Sequence, residues 1–153
     1  MKYLRKLKIE LIKGEYKSPV KGQVREPKQI YDVFKAIKDK NQETLIGVYL
    51  MNDLAVAAYD TLSVGSTTET GVSSDEVFSR AILTRSPYII LIHNHPSGNP
   101  TPSPEDKLTM KDLRDGAKLL RKTLLDFIIV GEQGYWSSFE EAEGGSYNLG
   151  PAF

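Results

Sequence analysis

Residues 88–106 of the chain read YIILIHNHPSGNPTPSPED, and both histidines of the protein lie in this run. Its first five residues, Tyr88 to Ile92, are apolar and rich in β-branched side chains, which predicts a buried strand. Side chains two residues apart on a strand share a face, so His93 and His95 are expected to project together. Asp106 follows at the start of the next helical pattern. Two imidazoles and a carboxylate around one point predict a three-ligand metal site with a position open for water.

The loop between the histidines and Asp106 is rich in Pro, Ser, Gly and Asn. Ser103 is expected to cap the following helix, with Pro104 at its first position. This helix is predicted to run to about Lys122, with an inner face made of Leu113, Ala117 and Leu120. The three alternate prolines of the loop, Pro100, Pro102 and Pro104, limit its conformations and so reduce the entropy lost when Asp106 is brought to the metal.

The N-terminal half shows two further patterns. Apolar residues at positions 7, 9 and 11 alternate with Lys6, Lys8 and Glu10, the period of a half-buried strand. Pro27 opens a helical pattern whose buried face is predicted to hold Ile30, Val33, Phe34 and Ile37.

The remaining elements are predicted from turn signals and short apolar runs. A strand over Glu43–Leu50 is followed by a turn at Asn52-Asp53, a second strand over Leu54–Tyr59 and an irregular connection over residues 65–71. A helix starts at the capping-box sequence Ser73–Glu76, with Val77, Phe78, Ala81 and Ile82 facing inward. The last two elements are a strand over Leu124–Val130 and a short strand over Tyr135–Phe139. The acidic tail from Glu140 is expected to be poorly ordered.

These elements predict an α/β fold of the α+β-like kind, with a mixed β-sheet flanked by helices. Strands and helices interleave, but tight turns join some of the strands, which disfavours an all-parallel sheet. A chain of 153 residues without repeats or a linker is expected to form a single domain over residues 1–153.

Composition excludes several functional classes. Twenty basic and twenty acidic residues cancel, so no overall field favours nucleic acid or membrane. Residues 1–28 nevertheless hold nine Lys or Arg and only three Glu, which we interpret as a solvated basic segment, with a weak surface for an anionic partner as the alternative. The absence of cysteine excludes thiol nucleophiles and disulfides. No apolar run reaches about 18 residues and no signal core is visible, so a cytoplasmic protein without a membrane span is expected.

Each candidate residue has a simpler structural interpretation when it is taken alone. Either histidine could be a structural residue, Ser103 a cap, and Asp106 a carboxylate favoured by the helix N-terminus. Their joint arrangement at a strand end and a helix start is hard to explain by packing.

The pattern of His93, His95, Pro96, Ser103 and Asp106 resembles the JAMM motif of the JAB/MPN metalloprotease fold. The fuller string over residues 93–98, with Pro102 before Ser103, resembles the RadC family in particular. Further matches are Gly65-Ser66, Glu76–Phe78 with Ala81-Ile82, and Leu125-Asp126 with Ile128–Gly131, so the resemblance covers a core of about residues 27–140. It implies a three-layer, cytidine-deaminase-like architecture.

The resemblance also implies a role for each matching residue. His93, His95 and Asp106 would bind one Zn²⁺ per chain, with water in the fourth position. Glu43 would act as the general base, although Glu69 and Glu76 compete for that role by sequence alone. Ser103 would help to stabilise the oxyanion.

The sequence departs from the family pattern in two ways. No helix-hairpin-helix region is expected before this domain. Phe127 stands where the family usually has His after Leu-Asp, and Ser74-Asp75 stands where it usually has Pro-Arg. Contacts that partners or substrates make at those positions are therefore expected to differ from those of the family.

Three functional hypotheses follow. The first is a zinc-dependent hydrolase of peptide or isopeptide bonds, acting on a peptide or protein substrate. The second is a DNA-repair or recombination accessory, for which salt-sensitive DNA binding through the basic N-terminal segment would be evidence. The third is a non-catalytic interaction module on the same fold. Zinc fits the ligand set best, although spacing alone allows another divalent ion. Exposed strand edges would also allow a homodimer.

Overall fold

The structure, a computed structural model, describes residues 3–17, 22–62 and 72–147. In these ranges five strands form one mixed sheet: β1 (Leu45–Leu50), β2 (Val56–Leu62), β3 (Tyr88–Asn94), β4 (Thr123–Val130) and β5 (Tyr135–Ser137). The helices are α1 (Pro27–Phe34), continued by a 3-10 helix over Lys35–Asp39, then α2 (Ser74–Leu83), α3 (Pro104–Leu119) and α4 (Ser138–Glu143). The predicted mixed sheet with flanking helices is confirmed.

Strand β3 occupies the centre of the sheet, whose strand order is β2-β1-β3-β4-β5. It pairs antiparallel with β1 and parallel with β4. Helix α3 makes the crossover that a parallel pair requires. The carboxyl end of β3 and the first turn of α3 therefore lie at the same edge of the sheet, where the histidines and Asp106 are found.

Helices cover both faces of the sheet, which gives three layers. One core lies between the sheet and α1 with its 3-10 extension, and includes Ile30, Ile37, Val48, Ile90, Ile92 and Ile128. The other lies beneath α2 and α3, and includes Tyr49, Val77, Leu91, Leu113, Phe127 and Ile129. Burying one such aliphatic side chain contributes about 1.5–3 kcal/mol, so both faces of β3 anchor it firmly.

The predicted helix starts are correct, but two residues predicted to face inward do not. Ser73 and Ser103 are the N-caps of α2 and α3. Ile82 and Leu120 are instead 51% and 43% exposed. Helix α2 buries only Val77 and Ala81, one turn apart, so Ile82 falls off this narrow stripe. Leu120 follows the last turn of α3 as its C-cap.

The predicted N-terminal strand is wrong for this structure. Residues 3–13, which we call the N-terminal arm, form no strand, and Leu7, Ile9 and Leu11 are 77%, 55% and 69% exposed. Alternation shows that a segment has two different faces, but it does not supply a neighbouring strand.

The chain after β5 also differs from the prediction. Residues 138–143 form α4, whose N-cap is Ser137, with its side chain accepting from the Glu140 N–H. The prediction was a strand to Phe139 and a poorly ordered acidic tail from Glu140. Residues 65–71, predicted as an irregular connection, lie outside the described residues. None of the described helices is both long and apolar enough to span a bilayer.

Candidate metal centre

Four side chains converge at the edge of the sheet where β3 ends. His93 is the second-last residue of β3, and His95 lies just beyond that strand. Asp106 is in the first turn of α3, and Glu43 precedes β1. One ligand atom from each lies within 4.8 Å of all the others. The structure thus brings together the residues that the sequence pattern singled out, and this group could hold a metal ion.

His93 is almost fully buried, with its two ring nitrogens in different surroundings. Its Nδ1 lies 2.5 Å from Oε1 of Glu43, and since an ionised carboxylate only accepts, Nδ1 is the donor. Nε2 then carries a lone pair, and it is the single buried side-chain nitrogen or oxygen without a hydrogen-bond partner in the described part of the chain. An unsatisfied buried acceptor costs about 1–3 kcal/mol, and a metal ion bound at Nε2 would remove that cost.

His95 likewise directs the lone pair of its Nε2 into the cluster. Its Nδ1 lies 2.8 Å from the backbone oxygen of Asn99, which can only accept, so Nδ1 is the donor. The lone pair of Nε2 then faces Oδ2 of Asp106 at 3.0 Å. A lone pair opposite a carboxylate is repulsive unless a proton or a metal ion lies between them.

Asp106 is held in place by the start of α3. Its Oδ2 accepts the backbone N–H of Ser103 at 2.8 Å, and its own N–H donates to Ser103 Oγ at 3.0 Å. This reciprocal capping box satisfies two donors of the helix start while it orients the carboxylate. Ser103 uses its oxygen as an acceptor here, so its hydroxyl hydrogen is left to donate elsewhere.

The donor set and its spacing fit a tetrahedral zinc site. The two oxygens of Asp106 each lie near one histidine: Oδ2 is 3.0 Å from His95 Nε2, and Oδ1 is 3.6 Å from His93 Nε2. Two ligands at 2.0–2.1 Å from a tetrahedral zinc ion are separated by roughly 3.3 Å, between these two values. The Glu43 carboxylate and the Asn99 backbone carbonyl accept hydrogen bonds from Nδ1 of His93 and Nδ1 of His95, as second partners of metal-binding histidines commonly do.

Asn94, which sequence reasoning missed, positions Glu43. Strand alternation turns its amide away from the histidines, and it is completely buried. Its Oδ1 accepts the N–H of Thr44 at 2.7 Å, and its Nδ2 donates to the carbonyls of Lys40 and Gln42 at 3.4 and 3.3 Å. The available signal was an amide at a buried strand position, which must find partners.

The loop that carries His95 packs directly on the turn between β4 and β5. Gly98 has a φ of +84°, and its carbonyl accepts the N–H of Glu132 at 2.8 Å. A Cβ on Gly131 would lie 2.5 Å from the Gly98 oxygen and 2.6 Å from Pro100 Cδ. Glycine at position 131 is therefore what lets the two segments approach.

Of the two carboxylates that competed with Glu43 by sequence, the structure describes only Glu76. Glu76 lies in α2 and its carboxylate is 3.9 Å from the guanidinium of Arg80. It is not a member of the cluster. Glu69 lies outside the described residues.

Comparison with known proteins gives consistent matches. The profile of the RadC-like JAB domain matches residues 24–145. The chain is 34% identical over 122 residues to a UPF0758 protein of Methanosarcina mazei, a match that covers 79% of this chain and 53% of that protein. It is 36% identical over 121 residues to a UPF0758 protein of Enterococcus faecalis, covering 78% and 52%. A UPF0758 protein of Thermotoga maritima is 38% identical over 96 residues, covering 63% and 43%. The chain thus spans about half the length of the curated relatives it matches.

Proposed function

The chain belongs to the RadC-like JAB domain family, and on this basis we propose that it is a zinc-dependent hydrolase of peptide or isopeptide bonds. The observation that carries the proposal is the buried, unpartnered Nε2 of His93 beside His95 and Asp106. A JAMM-type metallohydrolase is compatible with the family. The proposed ligands of one Zn²⁺ per chain are His93, His95 and Asp106.

The proposed chemistry needs a base and an oxyanion donor besides the ligands. Zinc held there would lower the pKa of a coordinated water to about 7 and polarise a carbonyl. In this proposal the partly exposed carboxylate of Glu43, which belongs to the cluster, accepts a proton and passes it to the leaving amine. The free hydroxyl hydrogen of Ser103 would donate to the oxygen that becomes negative. The proposed substrate is a peptide or protein.

Metal content and peptide cleavage test this function together. We expect about one zinc per chain in the wild type, as one tetrahedral site implies. His95→Ala should lose the metal. Glu43→Gln should keep it, because the amide oxygen still accepts from His93 Nδ1, while the rate falls at least about 100-fold through loss of the base.

Glu43→Ala is the matched variant for the base. It removes both the base and the partner of His93, so zinc affinity should fall about tenfold or more in addition to the rate. Mass spectrometry gives the metal content, and a panel of peptides and isopeptide-linked conjugates gives the rate. A wild type that takes up no zinc when the metal is supplied, or a Glu43→Gln variant with full activity, would overturn the proposal.

A further inference from the structure

The N-terminal arm concentrates exposed apolar side chains in a short segment. Within the described residues, residues 3–13 make no backbone–backbone hydrogen bond. Six large apolar side chains of this short segment are more than half exposed: Tyr3, Leu4, Leu7, Ile9, Leu11 and Ile12. Exposed apolar surface of this extent commonly marks an interface.

The arm also has a self-complementary pattern. Residues 7–11 read Leu-Lys-Ile-Glu-Leu. Antiparallel pairing of two such segments about Ile9 sets Ile9 opposite Ile9 of a second copy, and Leu7 opposite Leu11 of that copy. On the other face Lys8 then opposes Glu10 of the second copy, twice in each pair. Within one chain Lys8 Nζ and Glu10 Oε2 already lie 3.1 Å apart, so both point to the same side of the segment.

We propose that two copies of the chain form a dimer by antiparallel pairing of their arms over Leu7–Leu11, with a two-fold axis at Ile9. Opposite charges directly across a strand pair stabilise it, and like charges destabilise it. Parallel in-register pairing would set Lys8 against Lys8 and Glu10 against Glu10. The charge pattern therefore selects the antiparallel, two-fold arrangement, which is also the commonest symmetry of protein dimers.

The body of the protein offers a place for the apolar face of this ribbon. Ile9 and Leu11 line a groove of about 1180 Å³ together with Val56, Ala58 and Tyr59 of the edge strand β2. The base of the arm is fixed, because the N–H of Glu15 donates to the Tyr59 hydroxyl at 2.8 Å. A two-stranded ribbon alone is only marginally stable in water, so cover from the β2 edge is needed. The small interface implies a weak, concentration-dependent dimer.

Exchange of charges between copies tests the pairing. Lys8→Glu gives an arm with two carboxylates on its outer face, and Glu10→Lys gives an arm with two ammonium groups. Each variant alone should dissociate about tenfold more readily than the wild type, because like charges face each other. An equimolar mixture should form heterodimers with about wild-type affinity. Light scattering on the full chain at about 5–500 µM measures this, a range suited to weak interfaces.

Cysteine placement tests the register, since the chain has no cysteine of its own. Ile9→Cys should form a disulfide-linked dimer on oxidation, because residues opposite each other across a pair have Cβ atoms about 4.5–5.5 Å apart. Leu7→Cys should not link to itself, since its two copies would be offset by four residues, roughly 13 Å. A mixture of Leu7→Cys and Leu11→Cys should link.

Each result decides for or against the arm. Monomeric wild type throughout the concentration range would overturn the proposal, as would a dimer whose affinity is unchanged in Lys8→Glu. Failure of the two charge variants to combine, or efficient self-linking of Leu7→Cys, would also overturn it. Unchanged melting temperature and zinc content in every variant would exclude misfolding as the cause.

Discussion

The buried amide of Asn94 holds the segment that carries Glu43, although it faces away from the histidines. Asn94→Ala would leave the N–H of Thr44 and two carbonyls without their partner. We expect the free energy of unfolding to fall by about 2 kcal/mol. Urea denaturation of the metal-free protein measures this. Asn41→Ala, at an exposed amide nearby, is the control and should change stability by less than about 0.5 kcal/mol.

At the residue scale, the sequence predicted the grouping of His93, His95 and Asp106 because strand alternation and helix capping are local rules. It did not predict Asn94, because the partners of that amide are backbone atoms about fifty positions away. Contacts of this kind depend on which strands are neighbours, and local sequence patterns do not reveal that.

At the scale of single elements, the close approach between the ligand loop and the β4–β5 turn leads to a test. Gly131→Ala would push its Cβ against Gly98 and Pro100 and so displace the loop that carries His95. We expect zinc affinity to fall about 10-fold or more, as it does when the support of a ligand is disturbed. Competition with a chelator measures it. Gly134→Ala, where a Cβ meets nothing within 4 Å, should bind zinc like the wild type.

The cap of α3 has a matched counterpart in α2. Ser103→Ala removes the acceptor for the Asp106 N–H, and Ser73→Ala removes the acceptor for the Glu76 N–H. Each loss should cost about 1 kcal/mol of stability. Only Ser103→Ala should also weaken zinc binding and slow cleavage, because its cap orients the proposed ligand. Equal zinc affinity in the two variants would contradict this coupling.

The starts of α1, α2 and α3 were predictable, since proline and serine mark them locally. Helix α4 was not, because six residues with three glutamates and a following Gly-Gly resemble a solvated tail. The prediction of a strand in the N-terminal arm was wrong for the opposite reason. Its alternation is strong, but no strand among the described residues pairs with it.

At the scale of the whole molecule, the buried Tyr147 makes the stability of the fold depend on pH in the alkaline range. The Tyr147 hydroxyl donates to Asp126 at 2.7 Å. Burial, and then the charge of Asp126, raises the pKa of Tyr147 above its usual 10. Below pH 10 the phenol is protonated in both folded and unfolded chains, whereas above it the unfolded chain releases the proton first. Stability should therefore fall as pH rises beyond about 10.

Tyr147→Phe tests whether Tyr147 causes this loss of stability at high pH. The variant should lose about 1 kcal/mol near pH 7, because Asp126 loses one donor. Its further decline above pH 10 should be shallower than that of the wild type, by up to about 1.4 kcal/mol per pH unit. Urea unfolding between pH 7 and 11 measures both effects. Tyr3→Phe, at a 94% exposed position, should follow the wild-type curve.

The overall architecture was predictable as a mixed sheet with helices, but the strand order was not. Periodicity identifies strands one at a time, whereas the parallel pairing of β3 with β4 depends on how α3 packs. The resemblance to a known fold supplied the layers that the pattern alone could not.

The two faces of β3 have different roles, since one presents His93 to the cluster and the other presents Asn94 to the segment before β1. This limits which mutations the strand can tolerate. Exchanging one branched aliphatic residue for another between Ile89 and Ile92 alters only the packing, usually by less than about 1.5 kcal/mol. Deleting a single codon in the same interval would reverse the orientation of every side chain after it, so that Asn94 faced the cluster and His93 faced the carbonyls of Lys40 and Gln42. We expect β3 to tolerate substitutions between similar aliphatic residues but not the deletion or insertion of a residue.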